Sequence, residues 1–270
     1  MKKTNVIWFI VDQMRGQAMG VNGDPNVFTP NLDNLAIAGT NFPDAVSGYP
    51  LCCPYRASMM TGKYAHNHSV RLQEDRLDPS FDTITDVFNQ HDYETIYLGK
   101  WHLAGFKESQ GRSVLQTVPH EERGRFDTWL GYENNNCQWD SWVHGHRANG
   151  EEVAHYRLPG YETDSLTDLL IDFVDRKGRE KGEGAMSPFF ASLSVQPPHD
   201  PYLAPESFML RHNPATLQMR PNVPDIAPVQ DRARRELAGA CAQIENLDWN
   251  VGRIREALAA AGLAFNTVIV

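Results

Sequence analysis

A chain of 270 residues with 41% hydrophobic and 10% aromatic content is long enough for one sizeable α/β domain or two small ones around a packed core. Its formal charge of −9 excludes the clustered Lys and Arg of a nucleic-acid surface, while leaving room for a local basic pocket around a small anion. Four cysteines (Cys52, Cys53, Cys137, Cys241) lack the spacing of a disulfide framework or a structural zinc site, so a reducing, cytoplasmic setting is expected. No apolar run approaches the roughly 20 residues that cross a bilayer, and no membrane partner is expected.

The N-terminal MKKTNVIWFIVDQMRG has the lysines of a signal peptide. Its apolar run, however, stops at Val11 before Asp12 and has no small-residue cleavage site. NVIWFIV reads instead as a central strand buried on both faces, which delivers Asp12 and Gln13 at its carboxyl end, where ligands gather in parallel sheets. TPNLDNLAIAG predicts a short helix, with Thr29 as cap, Pro30 at the first position and Gly39 as stop. In LCCPYRASMMTG, Pro54 is expected to open a helix that Gly62 ends, so that Cys52 and Cys53 lie at an anion-attracting N-terminus. A helix near Thr83–Gln90, a strand at Glu94–Gly99, an amphipathic helix near Asp164–Arg176 and a strand at Pro188–Val195 continue a strand–helix alternation that marks an α/β fold.

From Gly105 to Tyr161 the periodicity fails, and the segment reads as an irregular insertion lining a site. Within it, Asn134, Asn135, Asn136, Trp139, Asp140, Trp142, His144 and His146 are either contacts for a polar or sugar substrate or a solvated loop. A second irregular stretch begins at PPHDPYLAP, and a long helix is predicted from about Gln230 to Ala261. NTVIV then reads as the opening of another buried strand. No interdomain linker is evident, and residues 1–270 are expected to form one domain.

Taken alone, Arg56 offers a planar fork for an oxyanion, Lys100 a cation for the same purpose and His102 a group that exchanges protons near neutrality. Their i, i+2 spacing would send Lys100 and His102 to one side of an extended strand. The bland readings, a buried cysteine pair, a surface lysine and a structural histidine, remain open at this point.

The run Cys52, Pro54, Arg56, Thr61, Gly62 resembles the C-x-P-x-R…Thr-Gly signature of the type I sulfatases, of the alkaline-phosphatase-like superfamily. Tyr55 departs from the serine found in many members. Four further segments resemble family elements in the same order. Asp12-Gln13 matches the first metal-ligand pair, GKWHLAG the element carrying Lys100 and His102, PPHDP the loop carrying His199, and the helix before NTVIV the approach to a second ligand pair. The resemblance implies an α/β/α sandwich on a large mixed, mostly parallel sheet. It implies conversion of Cys52, rather than Cys53, to formylglycine (3-oxoalanine) by a formylglycine-generating enzyme. The hydrated aldehyde would attack sulfur and then expel sulfate, an elimination closed to a plain serine ester.

Asp12, Gln13 and modified Cys52 would hold a divalent cation, calcium before magnesium or manganese. Arg56 and Lys100 would stabilise developing charge, His102 would serve the nucleophile, and Lys100 and His199 would bind the sulfate. The implied substrate is the sulfate ester of an aryl, carbohydrate or small alcohol. A phosphonate monoester or phosphodiester hydrolase is the alternative enzyme, and a non-catalytic or truncated binding protein the alternative class. The second ligand pair is expected just beyond NTVIV, so these residues are expected to form the N-terminal part of a longer sulfatase, binding metal poorly and turning over little substrate alone.

Overall fold

The computed structural model describes residues 3–270. Its strands are β1 (Asn5–Val11), β2 (Glu94–Lys100), β3 (Thr128–Tyr132), β4 (Trp142–His146), β5 (Glu152–Arg157), β6 (Phe189–Val195) and β7 (Thr267–Ile269). The α-helices are α1 (Pro30–Ala38), α2 (Cys52–Thr61), α3 (Ala65–His68), α4 (Ile84–Gln90), α5 (Glu162–Gly182), α6 (Glu206–Met209) and α7 (Ala227–Ala260). The chain divides into two compact units. Residues 1–10, 46–196 and 256–270 make the first, and residues 11–45 and 197–255 the second. Among the described residues no helix is long and apolar enough to cross a membrane.

The first unit is a seven-stranded sheet in the order β5-β4-β3-β2-β6-β1-β7. β2 pairs in parallel with β3 and β6, and β1 with β7, whereas β3–β4 and β4–β5 are antiparallel. β2 and β6 are the fully buried apolar runs that a sheet covered on both faces requires. On one face Trp8, Tyr97, Trp129 and Phe190 pack with Cys53, Ala57 and Met60 of α2 and with Ile84 and Phe88 of α4. On the other, Phe173 of α5 meets Phe189 edge to face at 5.2 Å. The α4 start is a capping box between Thr83 and Asp86.

Two expected details differ. Pro54 is the third residue of α2, which begins at Cys52 itself, so the helix N-terminus lies two residues earlier than proline placement implied. The segment 105–161 is not irregular throughout: it contains β3, β4 and β5. Its periodicity is hidden because these strands bury Trp129, Tyr132, His144 and His146 alongside glycine, and because β4–β5 slips register between Val143 and Gly145.

In the second unit Thr29 precedes α1 without a side-chain cap. Its hydroxyl instead donates to Asp33 Oδ1 at 2.9 Å, and the N–H groups of Asn31 and Leu32 are taken by Asp248 Oδ1 of α7 at 2.9 and 2.8 Å. A long-range carboxylate has replaced the local cap, and its negative charge suits the helix N-terminus.

Candidate active site

The first unit brings Cys52, Arg56 and Lys100 together. Cys52 is the first residue of α2 and half-buried, while Cys53 beside it is 1% exposed and donates its thiol to Gln73 O at 2.8 Å. Burial pushes the Cys53 thiol well above its ordinary range, with the Glu133 charge adding to the effect. Of the two neighbours, Cys53 is thus the inert, packed thiol.

Lys100 ends β2, is 1% exposed, and places Nζ 3.9 Å from Cys52 Sγ. Its backbone is fixed from two sides. Arg56 Nη1 donates to Lys100 O at 2.7 Å and to Ser194 Oγ at 2.8 Å, and the Tyr97 hydroxyl also donates to Lys100 O. The Arg56 fork, read from sequence as an oxyanion binder, therefore directs one nitrogen inward, joining α2 to the carboxyl ends of β2 and β6. Gly99 makes this approach possible: a Cβ there would stand 2.0 Å from Ser194 O, and its φ of 100° lies where only glycine is at ease.

The strand stops at Lys100, so alternation does not extend to His102, whose φ is 56°. His102 is buried, in a left-handed backbone that a non-glycine residue adopts only under surrounding constraint.

Asp12, Gln13 and His199 belong to the second unit. Gln13 also has a left-handed backbone, at φ 60°, and its Nε2 donates to the Tyr202 hydroxyl at 3.1 Å. With the amide nitrogen committed there, the amide oxygen is the atom turned elsewhere. That oxygen and the Asp12 carboxyl are both of the oxygen-donor type that a hard divalent cation takes. The His199 side chain is 20% exposed, with Nδ1 2.7 Å from Asp200 O. Its loop is held by Gln243 of α7, whose Nε2 donates to the carbonyls of His199, Pro201 and Leu203 at 3.4, 3.1 and 3.2 Å. A cavity of about 480 Å³ in the same unit is lined by Gln13, Arg15, Asp24, Tyr202, Arg220 and Glu236, among others.

The eight loop candidates resolve differently. Asn135, Ser141, Tyr132 and the Gln196 N–H all donate to the fully buried Glu162 carboxylate, at 3.3, 2.8, 2.7 and 2.9 Å. Asn134 accepts from Ser113, and Asn136 from Gln196. Asp140 pairs with Arg112 and Arg157 and accepts the Trp142 indole N–H, while Trp139 packs edge-on to Tyr161. His144 and His146 are buried in β4, His144 accepting the Val118 N–H at 2.8 Å. Asn135, His144 and His146 are buried, whereas Asn136 and Trp139 remain exposed.

His120, His146 and Glu152 offer ligand atoms within 4.8 Å of one another. Arg123 already spans them, donating from Nη1 to His146 Nδ1 at 3.1 Å and to both Glu152 oxygens at 3.1 and 2.9 Å, with Nε on Val118 O at 3.0 Å. A buried guanidinium in that position would repel a second cation, so this is an ion-pair cluster. Ser58 and His68, 3.0 Å apart, form no nucleophile–base pair either. His68 Nδ1 accepts the Val70 N–H, which leaves Nε2 as the donor to the hydroxyl.

Sequence reasoning missed Ser194, Gln243 and Glu133, each of which acts on a partner far away in the chain, and Tyr97, which acts within its own strand on the carbonyl of Lys100. Only Ser194 carried a local signal, as a polar residue near the carboxyl end of an apolar strand.

The α/β/α layering of the first unit, with charged groups gathered at the carboxyl ends of its central strands, defines an alkaline-phosphatase-like fold. The yidJ crystal structure from Bacteroides fragilis matches it with a TM-score of 0.87 at 28% identity, covering 99% of this chain and 61% of that one. The Sulfatase family pattern matches residues 4–270, and the chain belongs to that family. The ulvan-active sulfatase of Formosa agariphila is 32% identical over 269 residues, 99% of this chain and 49% of its own length. The arylsulfatase of Clostridium perfringens is 27% identical over 302 residues, 98% of this chain and 61% of its own. This chain therefore spans less than two thirds of these relatives.

Proposed function

We propose that this chain carries the nucleophile-bearing part of a sulfatase that hydrolyses a sulfate ester of an aryl, carbohydrate or small alcohol, with Cys52 converted to formylglycine. The observation that carries the reading is the corner of α2 and β2, where a buried lysine ammonium stands 3.9 Å from the sulfur of a half-buried cysteine at a helix N-terminus. Positive charge fixed in a poorly solvated site stabilises an anion far better than the same charge in water, and it needs no reorganisation as the reaction proceeds.

When present, formylglycine supplies a hydroxyl nucleophile and the divalent cation supplies Lewis-acid stabilisation of the developing charge. Asp12 and Gln13 would hold that cation through oxygen atoms, calcium before magnesium or manganese. Lys100 holds the sulfate, and Arg56 keeps Lys100 in place through its carbonyl. His102 moves the proton of the nucleophile, while His199 binds the sulfate and serves the departing alcohol. The partners are a formylglycine-generating enzyme and a sulfated small molecule or carbohydrate. In the second-unit cavity, guanidinium, carboxylate and hydroxyl groups sit beside apolar Leu237 and Ile244, a mixture suited to a polyhydroxylated alcohol.

The test is to co-express residues 1–270 with a formylglycine-generating enzyme and follow alcohol release from phenyl sulfate, with calcium and with chelator, against a Cys52→Ala blank. The expected result is slow release that depends on Cys52 and is lost with chelator. Faster release from a phenyl phosphonate ester would favour the phosphonate hydrolase reading, and chelator-insensitive release would overturn the assigned roles of Asp12 and Gln13.

A further inference from the structure

The turn after Lys100 has no regular secondary structure to hold it, yet it carries His102 in a left-handed backbone. Its N–H groups converge on one side chain. Glu133 Oε2 accepts from Leu103 N at 3.2 Å, and Oε1 from Ala104 N at 2.8 Å and Phe106 N at 3.5 Å. Glu133 directly follows β3, and Lys100 pairs with Tyr132 in the parallel β2–β3 register, so the carboxylate sits one residue beyond the end of the site strand. The far side of the turn is fixed as well: Leu103 O accepts the Leu77 N–H at 2.9 Å, and Ala104 forms an isolated bridge with Arg76.

Glu133 is 1% exposed. Burial pushes its carboxyl up to about 7, against the pull of the three N–H donors. Burying an ionisable group is costly, and an apolar side chain would fill this space more cheaply. An apolar residue supplies no acceptor here, and an amide could serve Ala104 N and Phe106 N through its one oxygen but would set an N–H₂ against the Leu103 N–H that Oε2 now accepts.

We propose that Glu133 is a positioning residue for His102: its carboxylate gathers the backbone of residues 103–106 and thereby fixes where the His102 imidazole stands. The inference rests on reading His102 as part of the site. Glu133 itself acts through the backbone and does not touch the reacting atoms.

Glu133→Gln keeps the volume and turns an amide N–H₂ toward one of the backbone donors. The expected result is a fall in kcat of about tenfold to 100-fold with KM nearly unchanged, as for a misplaced acid–base group. In the chain labelled with ¹³C at histidine rings, the His102 signals should move while those of His144 and His155 stay. Glu133→Asp, which keeps the charge, should recover part of both effects. In a His102→Ala background Glu133→Gln should cost little more, because both changes act through one group. Unmoved His102 signals together with unchanged kcat per folded molecule would overturn the proposal, leaving Glu133 a role in stability only. If Glu133→Gln does not fold, Glu133→Asp decides by the same two readouts. If residues 1–270 release no alcohol at all, the activity proposed for this part of the chain fails while the ring signals still decide the role of Glu133.

Discussion

The centre and the flank of the seven-stranded sheet each gather titratable groups, and the two gatherings commit their polar atoms differently. At the centre, where β2 and β6 run in parallel, Arg56, Tyr97 and Ser194 act on the backbone and flank of Lys100, so its ammonium is aimed at Cys52. At the antiparallel flank, Arg123 meets His146 and Glu152 head-on and consumes their ligand atoms. The difference lies in which atoms are used: charges held by their backbones keep their functional ends directed into the site, whereas charges that hold each other are structure.

The comparison is sharpened first at the centre. Lys100→Ala there, and His199→Ala in the second unit, should each lower turnover by about 100-fold or more, with cooperative unfolding retained, because each removes charge stabilisation or acid catalysis. Steady-state rates near wild type in both variants would break the site assignment. At the flank the same kind of change should act on the fold. Arg123→Ala strips donors from Glu152, His146 and the Val118 carbonyl and should destabilise the protein by about 2–4 kcal/mol. Turnover per folded molecule should be unaltered, so denaturant titration alongside an assay separates the two.

A smaller effect follows from His144. Burial drives its imidazole down to about 3, and Nε2 already accepts the Val118 N–H. The depressed value means that this contribution to stability is intact above the ordinary imidazole range. It is lost as pH falls from about 6.5 toward 3, at up to about 1.4 kcal/mol per pH unit. His144→Phe should flatten the wild-type decline in unfolding free energy between pH 7 and 5. An unchanged slope would show that other groups account for it.

The parallel centre was legible in the sequence because a strand buried on both faces leaves a continuous apolar run, as PFFASLSV does for β6; NVIWFIV forms a strand as expected, but only Asn5, Ile7 and Ile10 of β1 are buried, because β1 lies one strand from the sheet edge. The flank was not, since β4 buries two histidines and a glycine where apolar residues were sought, and the β5 burial pattern only partly alternates. Cys52, Arg56 and Lys100 were found through the resemblance of their motifs to family elements, and the structure brings them together. Glu133, Ser194 and Gln243 were not, because each works on an element far away in sequence and leaves no periodicity of its own. The insertion at 105–161 concealed a carboxylate network around Glu162 for the same reason.

The account rests most heavily on Cys52 being the residue that chemistry acts on and Cys53 being packing. The most direct measurement is fragment mass spectrometry of the peptide spanning residues 52–56, taken from the chain co-expressed with a formylglycine-generating enzyme. The account predicts sulfur exchanged for oxygen with loss of two hydrogens at Cys52, and an intact thiol at Cys53. The aldehyde at Cys53, or two unmodified thiols under conditions that convert a control peptide, would contradict it.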